Sequence, residues 1–211
     1  MGIMHLENQD GMALTKSELA LAHNITSQIA LAMAGIKLRE TLRSLSVRDS
    51  LTGLFNRHYM EESLQRELAN AQRKQRPLAL VMMDLDFFKS FNDVFGHDAG
   101  DLLLTEVGSL LGSKLRSTDI ACRFGGEEFV IIMPDTGLEG AARVAERIRN
   151  NVAGSPFRVS DGKDLLTVTI SVGVAATLGE GDTPQALLKR ADEAVYEAKA
   201  QGRNKVCARA A

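Results

Sequence analysis

An α+β domain, with a mainly antiparallel central sheet, flanking helices and a long helix ahead of it, is the fold class this sequence predicts. Three observations predict it. Leu78–Asp84 is an almost unbroken apolar run entered through Pro77, the pattern of a central strand buried on both faces. Two strand-like runs, Ile120–Phe124 and Glu127–Met133, are joined by Gly125-Gly126, a pair suited to a hairpin with positive φ at both central positions. Helix-period segments separate these runs at regular intervals.

Taken in order, Leu21, Ile25, Ile29, Ala32, Ile36, Leu42 and Leu45 keep returning to one helical face and predict a single long helix over Leu19–Leu45. That stripe suits either a packed core or a two-helix seam between protomers. Arg48-Asp49-Ser50 breaks the pattern, and a domain boundary is expected near Leu45–Val47, dividing the chain into 1–46 and 47–211. A second helix runs from Asn56 or Arg57 to about Lys74. Further helices are expected over Asp98–Lys114, Glu139–Val152 and Thr183–Ala200, with strands at Leu165–Ala175 and Lys205–Ala208. The helices are expected on one face of the sheet, with His97 in a loop.

Composition narrows the function classes. The 211 residues are 45% hydrophobic, enough for a core without staples. With 25 basic against 27 acidic residues the net charge is −2, which leaves no broad footprint for nucleic acid. Cys122 and Cys207 have neither metal-ligand spacing nor a disulfide framework, so a cytoplasmic, reducing setting is expected. Neither a secretory leader in Met1–Gly11 nor a membrane-spanning segment is expected.

Acids gather where strands end. Asp84 closes the apolar run, with Asp86 beside it, and Glu127 and Glu128 open the return strand of the hairpin. Hard divalent cations take carboxylate oxygens and share their coordination with phosphates. A lone strand-end acid is more often simply solvated, so the pattern gains meaning only from its surroundings.

Those surroundings are Asp49-Ser-Leu-Thr-Gly-Leu-Phe-Asn-Arg57, Asp84-Leu-Asp-Phe-Phe-Lys89, Phe91-Asn-Asp-Val-Phe-Gly-His97, Gly100-Asp101, Arg123-Phe-Gly-Gly-Glu-Glu-Phe129 and Ala191-Asp192…Tyr196-Glu-Ala-Lys-Ala-Gln-Gly-Arg-Asn204. In this order and spacing the chain resembles the GGDEF family of diguanylate cyclases, in the Gly-Gly-Glu-Glu-Phe form, from about Arg48 to Val206. The resemblance implies a ferredoxin-like, nucleotide-cyclase palm. It also implies an enzyme that condenses two GTP into cyclic di-GMP with release of pyrophosphate.

The resemblance further implies roles for individual residues. Asp84, Glu127 and the main-chain carbonyl of Leu85 would hold magnesium or manganese, two ions per active site. Glu128 would be a metal ligand or general base near the attacking hydroxyl. Asn92 and Asp101 would read guanine, whose adjacent N–H donors suit a carboxylate and an amide. Main-chain N–H groups of Phe87 and Phe88, with Lys89, Lys199 and Arg203, would hold phosphates. Arg116 and Asp119, with Arg147, match a product-inhibition site. Catalysis would need a homodimer, because two bound GTP must meet face to face. The segment from Gly2 through the long helix is similar to the last strand and helix of a GAF sensory domain. Two alternatives share these motifs: a silent module binding cyclic di-GMP or GTP, and a nucleotidyl cyclase with another base preference.

Overall fold

The computed structural model describes residues 15–45, 47–158, 165–177 and 181–209. The chain divides into two units, Met1–Ser46 and Val47–Ala211. The strand of the suggested sensory remnant falls within 1–14, outside the described residues.

In the first unit, helix α1 (Lys16–Leu45) opens on a capping box. The Thr15 N–H donates to Glu18 Oε2 at 2.8 Å, and the Glu18 N–H donates to Thr15 Oγ1 at 3.3 Å. Leu21, Ile25, Ile29, Leu31, Met33, Ile36 and Leu38 are all exposed. From Leu19 to Ile36 no Lys, Arg, Asp or Glu occurs, so Lys16–Leu38 is long and apolar enough to cross a membrane by length and composition. That corrects the expectation that no segment reaches this length. His23, Asn24, Thr26, Ser27 and Gln28 lie inside the stretch, polar groups that lipid accommodates at a cost.

The second unit is built on a five-stranded sheet. Its elements are α2 (Arg57–Lys74), β1 (Leu78–Leu85), α3 (Phe88–Phe95), α4 (His97–Lys114), β2 (Ile120–Gly125), β3 (Glu128–Pro134), α5 (Leu138–Gly154), β4 (Phe157–Arg158), β5 (Leu165–Leu166), β6 (Ile170–Ala176), α6 (Pro184–Ala200) and β7 (Val206–Arg209). Strand order is β2-β3-β1-β6-β7, antiparallel except for the β6–β7 pair; β4 and β5 form a separate two-stranded ribbon.

Strand β1 is buried along its whole length, as its apolar run predicts. Its side chains alternate between two cores. Ala79, Val81, Met83 and Leu85 join Leu103 and Val107 of α4 and Ala145 and Ile148 of α5. Leu78, Leu80 and Met82 join Met60 and Leu64 of α2 and Leu187 and Ala191 of α6. Helices therefore cover both faces, not one, because a central strand apolar at every position needs cover on each side. Gly173 lets α6 lie close on β6: an added Cβ would run into the Ala191 carbonyl.

Three local expectations change. Phe88–Phe95 is a helix, where the aromatic-rich segment gave no helical expectation. His97 begins α4 instead of sitting in a loop. The predicted single strand Leu165–Ala175 is split into β5 and β6.

Candidate active site

The chain enters the second unit through a tight junction turn. The Asp49 carboxylate accepts from the Thr52 N–H at 2.9 Å and the Thr52 hydroxyl at 2.7 Å, and pairs with Arg123 Nη1 at 3.3 Å. Burial raises the proton affinity of Asp49, but the Thr52 hydrogen bonds and the Arg123 charge outweigh it and hold the carboxyl below its ordinary range. Arg123 Nε in turn donates to the Gly126 carbonyl at 3.0 Å. Thr52 also sits against α4 at Gly108, where an added Cβ would approach the Thr52 Cβ to 2.8 Å.

The signature turn differs from expectation in one detail. Gly125 pairs with Glu128 across β2 and β3, so the two central residues are Gly126 and Glu127. Of these only Gly126 has positive φ, at 51°, and an irregularity between Arg123 and Gly125 adjusts the register ahead of the turn. Positive φ at the first central position alone is the requirement of a II′ turn, not I′.

This turn sets the acids against the end of β1. Asp84 lies directly opposite Glu128, and the Leu85 N–H donates to the Glu127 carbonyl at 3.4 Å. Register partners share a face, and the parity of β1 places Asp84 on the α6 side. There Lys199 Nζ lies 2.7 Å from Asp84 Oδ2, whose side chain is 12% exposed. Burial lifts the Asp84 carboxyl above its ordinary range; the Lys199 ion pair opposes the rise, and the charges of Glu127 and Asp86 add to it. Burial, then the charge of Asp84, lifts Glu128 in the same direction, with Lys199 opposing and Asp192 and Glu127 adding.

Like charges collected at a half-closed strand end favour a cation. Among the described residues, no group of three or more His, Cys, Asp or Glu converges as a ready cage. The donor chemistry nevertheless fits a hard divalent ion, since the Lys199 ammonium already stands against Asp84 as a neutralising cation. Asp84, Glu127 and the Leu85 carbonyl are the groups expected to hold such an ion.

Asn92, on α3, packs its amide onto α4. An added Cβ at Gly100 would overlap Asn92 Oδ1, and would lie 3.0 Å from its Cγ and 3.2 Å from Phe88 Cζ. Asn92 Oδ1 is buried without a hydrogen-bond partner, and the next residue after Gly100 is the exposed Asp101. The two residues expected to read a base therefore sit on adjacent helices, and Gly100, the neighbour of Asp101 in the chain, permits the close approach of Asn92.

Helix α3 begins at a left-handed N-cap, Phe87 (φ 59°), which makes no side-chain capping bond. Its first-turn N–H groups are thus left for water or an anion. Lys89 is exposed beside them. Helix α6 ends at Ala200, so Lys199 and Arg203 do not share one helix face as a continuous helix would require. Arg203 instead follows Gly202 in a left-handed conformation (φ 64°), and its guanidinium lies 4.5 Å from the Phe87 ring centroid. Lys199, expected to face phosphate, makes its ion pair with Asp84.

A second basic site lies apart. Arg116, Arg143 and Arg147 line a cavity of about 280 Å³ with Met133, Thr136, Gly140 and Val144. Arg147 Nη2 donates to the Lys114 carbonyl at 2.9 Å. Asp119 Oδ2 accepts from the Arg116 N–H at 3.0 Å, while Asp119 Oδ1 is buried without a partner. Sequence reasoning missed Arg143, although its spacing of four from Arg147 on α5 placed both on one face.

Asp86 was also passed over as a functional candidate. It is 7% exposed and accepts three hydrogen bonds, from Thr169 Oγ1 at 2.7 Å, Ser171 Oγ at 2.6 Å and the Asn204 N–H at 3.1 Å. No short-range pattern announces this, because its donors lie more than eighty residues downstream.

An open sheet of this order, carrying paired acids at the end of its central strand beside a glycine turn, defines a nucleotide-cyclase class of domain. The chain belongs to the family described as "Diguanylate cyclase, GGDEF domain", which matches residues 46–205. It is 57% identical to the response regulator PleD of Caulobacter vibrioides over 167 residues, 79% of this chain and 37% of PleD. It is 37% identical to Diguanylate cyclase A of Treponema denticola over 195 residues, 91% of this chain and 51% of that protein. The chain thus spans about two fifths to one half of the length of these curated relatives. The crystal structure of the GGDEF domain of DgcB from Caulobacter crescentus in complex with c-di-GMP superposes with a TM-score of 0.74 at 36% identity, covering 77% of this chain and 95% of that one. The active GGEEF domain of a diguanylate cyclase from Vibrio cholerae gives 0.68 at 33% identity, covering 74% and 98%.

Proposed function

We propose that this chain condenses two GTP molecules into cyclic di-GMP, with two magnesium or manganese ions per site. The observation that carries the proposal is the pairing of Asp84 with Glu128 across β1 and β3, with a lysine ammonium already neutralising Asp84.

Asp84, Glu127 and the Leu85 carbonyl would hold the ions beside the triphosphate. When bound, magnesium would supply neutralising charge at the α-phosphate and a more acidic ribose 3′-hydroxyl. Burial and the charge of Asp84 raise the proton affinity of Glu128, which suits it to receive that hydroxyl's proton. Each 3′-oxygen attacks the α-phosphorus of the other GTP, so that two phosphodiester bonds close the ring and two pyrophosphates leave. Asn92 and Asp101 select guanine; adenine would set an acceptor against the carboxylate and leave it unpaired. The α3 amino terminus at Phe87 and Phe88, with Lys89, Lys199 and Arg203, orients the β- and γ-phosphates.

Each domain holds one GTP, so two copies must face each other, and α1 with its exposed apolar residues serves as the seam that brings them together. The three-arginine cavity at Arg116 and Arg147, with Asp119 beside it, takes the anionic product and makes the enzyme product-inhibited. Incubation of the purified chain with magnesium and either GTP or ATP, with products identified by mass, tests the reaction. Cyclic di-GMP from GTP alone is expected. No dinucleotide would leave a silent binding module, and product from ATP would overturn the base assignment.

A further inference from the structure

We propose that Asp86 is a positioning residue that clamps the basic turn Lys199–Asn204 onto the phosphate-binding end of α3. The inference rests on the assignment of Arg203 to the triphosphate, made above.

Three consecutive residues, Gly202, Arg203 and Asn204, have positive φ of 104°, 64° and 44°. Only the first is a glycine, so the other two occupy a conformation that L side chains rarely adopt, and something outside the turn must hold them there. The structure shows what does. The Asn204 N–H donates to the buried Asp86 Oδ2 at 3.1 Å, and Asn204 Oδ1 accepts from Arg149 Nη1 of α5 at 2.8 Å. Asp86 is itself fixed by Thr169 and Ser171 at the start of β6. The residue after Asp86 is Phe87, also left-handed, and its ring lies under the Arg203 guanidinium. Two left-handed segments thus face each other across one carboxylate, which fixes Arg203 beside the uncapped first turn of α3.

The chemistry of the clamp separates acceptor from charge. Hydroxyls can either donate or accept, whereas a backbone N–H only donates. In Asp86→Asn the amide oxygen would keep the Asn204 and Thr169 bonds, and the amide nitrogen would donate to Ser171. Asp86→Ala keeps none of them.

The test compares binding of an α,β-methylene GTP analogue, which cannot react, with binding of GMP, which lacks the β- and γ-phosphates. Titration calorimetry with magnesium gives the analogue-to-GMP affinity ratio, and a merely structural defect would lower both affinities together. Arg203→Ala is expected to lower the ratio about tenfold, and Asp86→Ala to do the same with GMP affinity kept. The double variant should fall little further than either single one, since both remove one interaction. Asp86→Asn should keep the ratio within about threefold. An unchanged ratio in Asp86→Ala beside a reduced one in Arg203→Ala overturns the clamp and leaves the phosphate assignment standing. An unchanged ratio in Arg203→Ala removes that assignment and the clamp with it. Loss in Asp86→Asn equal to that in Asp86→Ala would show that charge, not the hydrogen bond, matters, and would also overturn it. If Asp86→Ala fails to fold, Asp86→Ser decides, because its hydroxyl ends one bond short of the carboxylate oxygen that accepts the Asn204 N–H, with a drop of several-fold supporting the clamp and no change refuting it.

Discussion

Gly100→Ala probes the proposed guanine-reading corner of α3 and α4 with a single methyl group. On helix propensity alone the change would stabilise α4 by up to about 1 kcal/mol. The new Cβ, however, would overlap Asn92 Oδ1 and sit 3.0 Å from its Cγ. Comfortable carbon contacts begin near 3.5 Å, so the amide must withdraw by about 1 Å or more. Overpacking of this kind costs about 1–3 kcal/mol, leaving a net destabilisation of roughly 0–2 kcal/mol. At about 2–4 °C per kcal/mol the melting temperature should fall by at most about 8 °C. Activity should suffer far more, since a displacement of about 1 Å in a substrate-positioning group costs on the order of a hundredfold in rate. Pyrophosphate release gives kcat/KM, and a thermal melt gives stability. Adding Asn92→Ala removes the group being struck, so the double variant should regain stability and be no less active than Asn92→Ala alone. Gly100→Ala with kcat/KM within threefold of wild type would refute the reasoning, as would a double variant less stable than Gly100→Ala.

Other predictions follow from the same geometry. Glu128 has a folded-state pKa raised above its unfolded value, so its ionisation opposes folding at neutral pH and the penalty disappears as pH falls through the raised pKa. Glu128→Gln should therefore raise the melting temperature of the metal-free protein at pH 7–8, with the gain vanishing in acid, while turnover falls; a lower melting temperature at neutral pH would contradict the sign. Asp49 is the opposite case, with its pKa depressed, so its contribution is present above the unfolded value and lost as pH falls through the folded one. Asp49→Ala should cost about 1–3 kcal/mol at neutral pH in denaturant melts, through the lost Thr52 and Arg123 bonds, and less in strong acid, where the charge-linked part is gone. Arg116→Ala should raise the cyclic di-GMP concentration needed for half inhibition by tenfold or more, read from progress curves, with the initial rate kept. Ile29→Asp should lower dimerisation and turnover together, measured by sedimentation and pyrophosphate release; a fully active monomer would remove α1 from the assembly.

How far the sequence speaks depends on the range of the interaction. The apolar run Leu78–Asp84 announces a doubly buried central strand, because each of its residues carries the signal itself. Helices α2, α4, α5 and α6 are legible for the same reason, through their 3.6-residue period. Helix α3 is hidden because eight residues hold barely two turns, although Phe88, Phe91 and Phe95 recur at helical spacing, with the Phe91 ring parallel to that of Phe88 and tilted against that of Phe95. Helices on both faces follow from the same apolar β1 run, an implication the expectation of one covered face overlooked. The Gly-Gly dipeptide predicts a turn centred on itself, whereas pairing of Gly125 with Glu128 shifts the turn by one residue and puts Glu127 in it. At the site, the acids are visible as residue types, but the Lys199–Asp84 pair and the Asp86 hub join positions 115 and 118 residues apart along the chain, beyond any local pattern. The apolar stretch Leu19–Ile36 is legible in the sequence, since its polar residues are all uncharged.

The most direct measurement is anomalous diffraction from crystals of the chain grown with manganese and an α,β-methylene GTP analogue. Density is predicted at about 2.0–2.2 Å from carboxylate oxygens of both Asp84 and Glu127, adjoining the analogue's phosphates, with Lys199 drawn off Asp84. Manganese bound elsewhere, or an analogue seated with Lys199 still on Asp84 and no ion between the two acids, would contradict it.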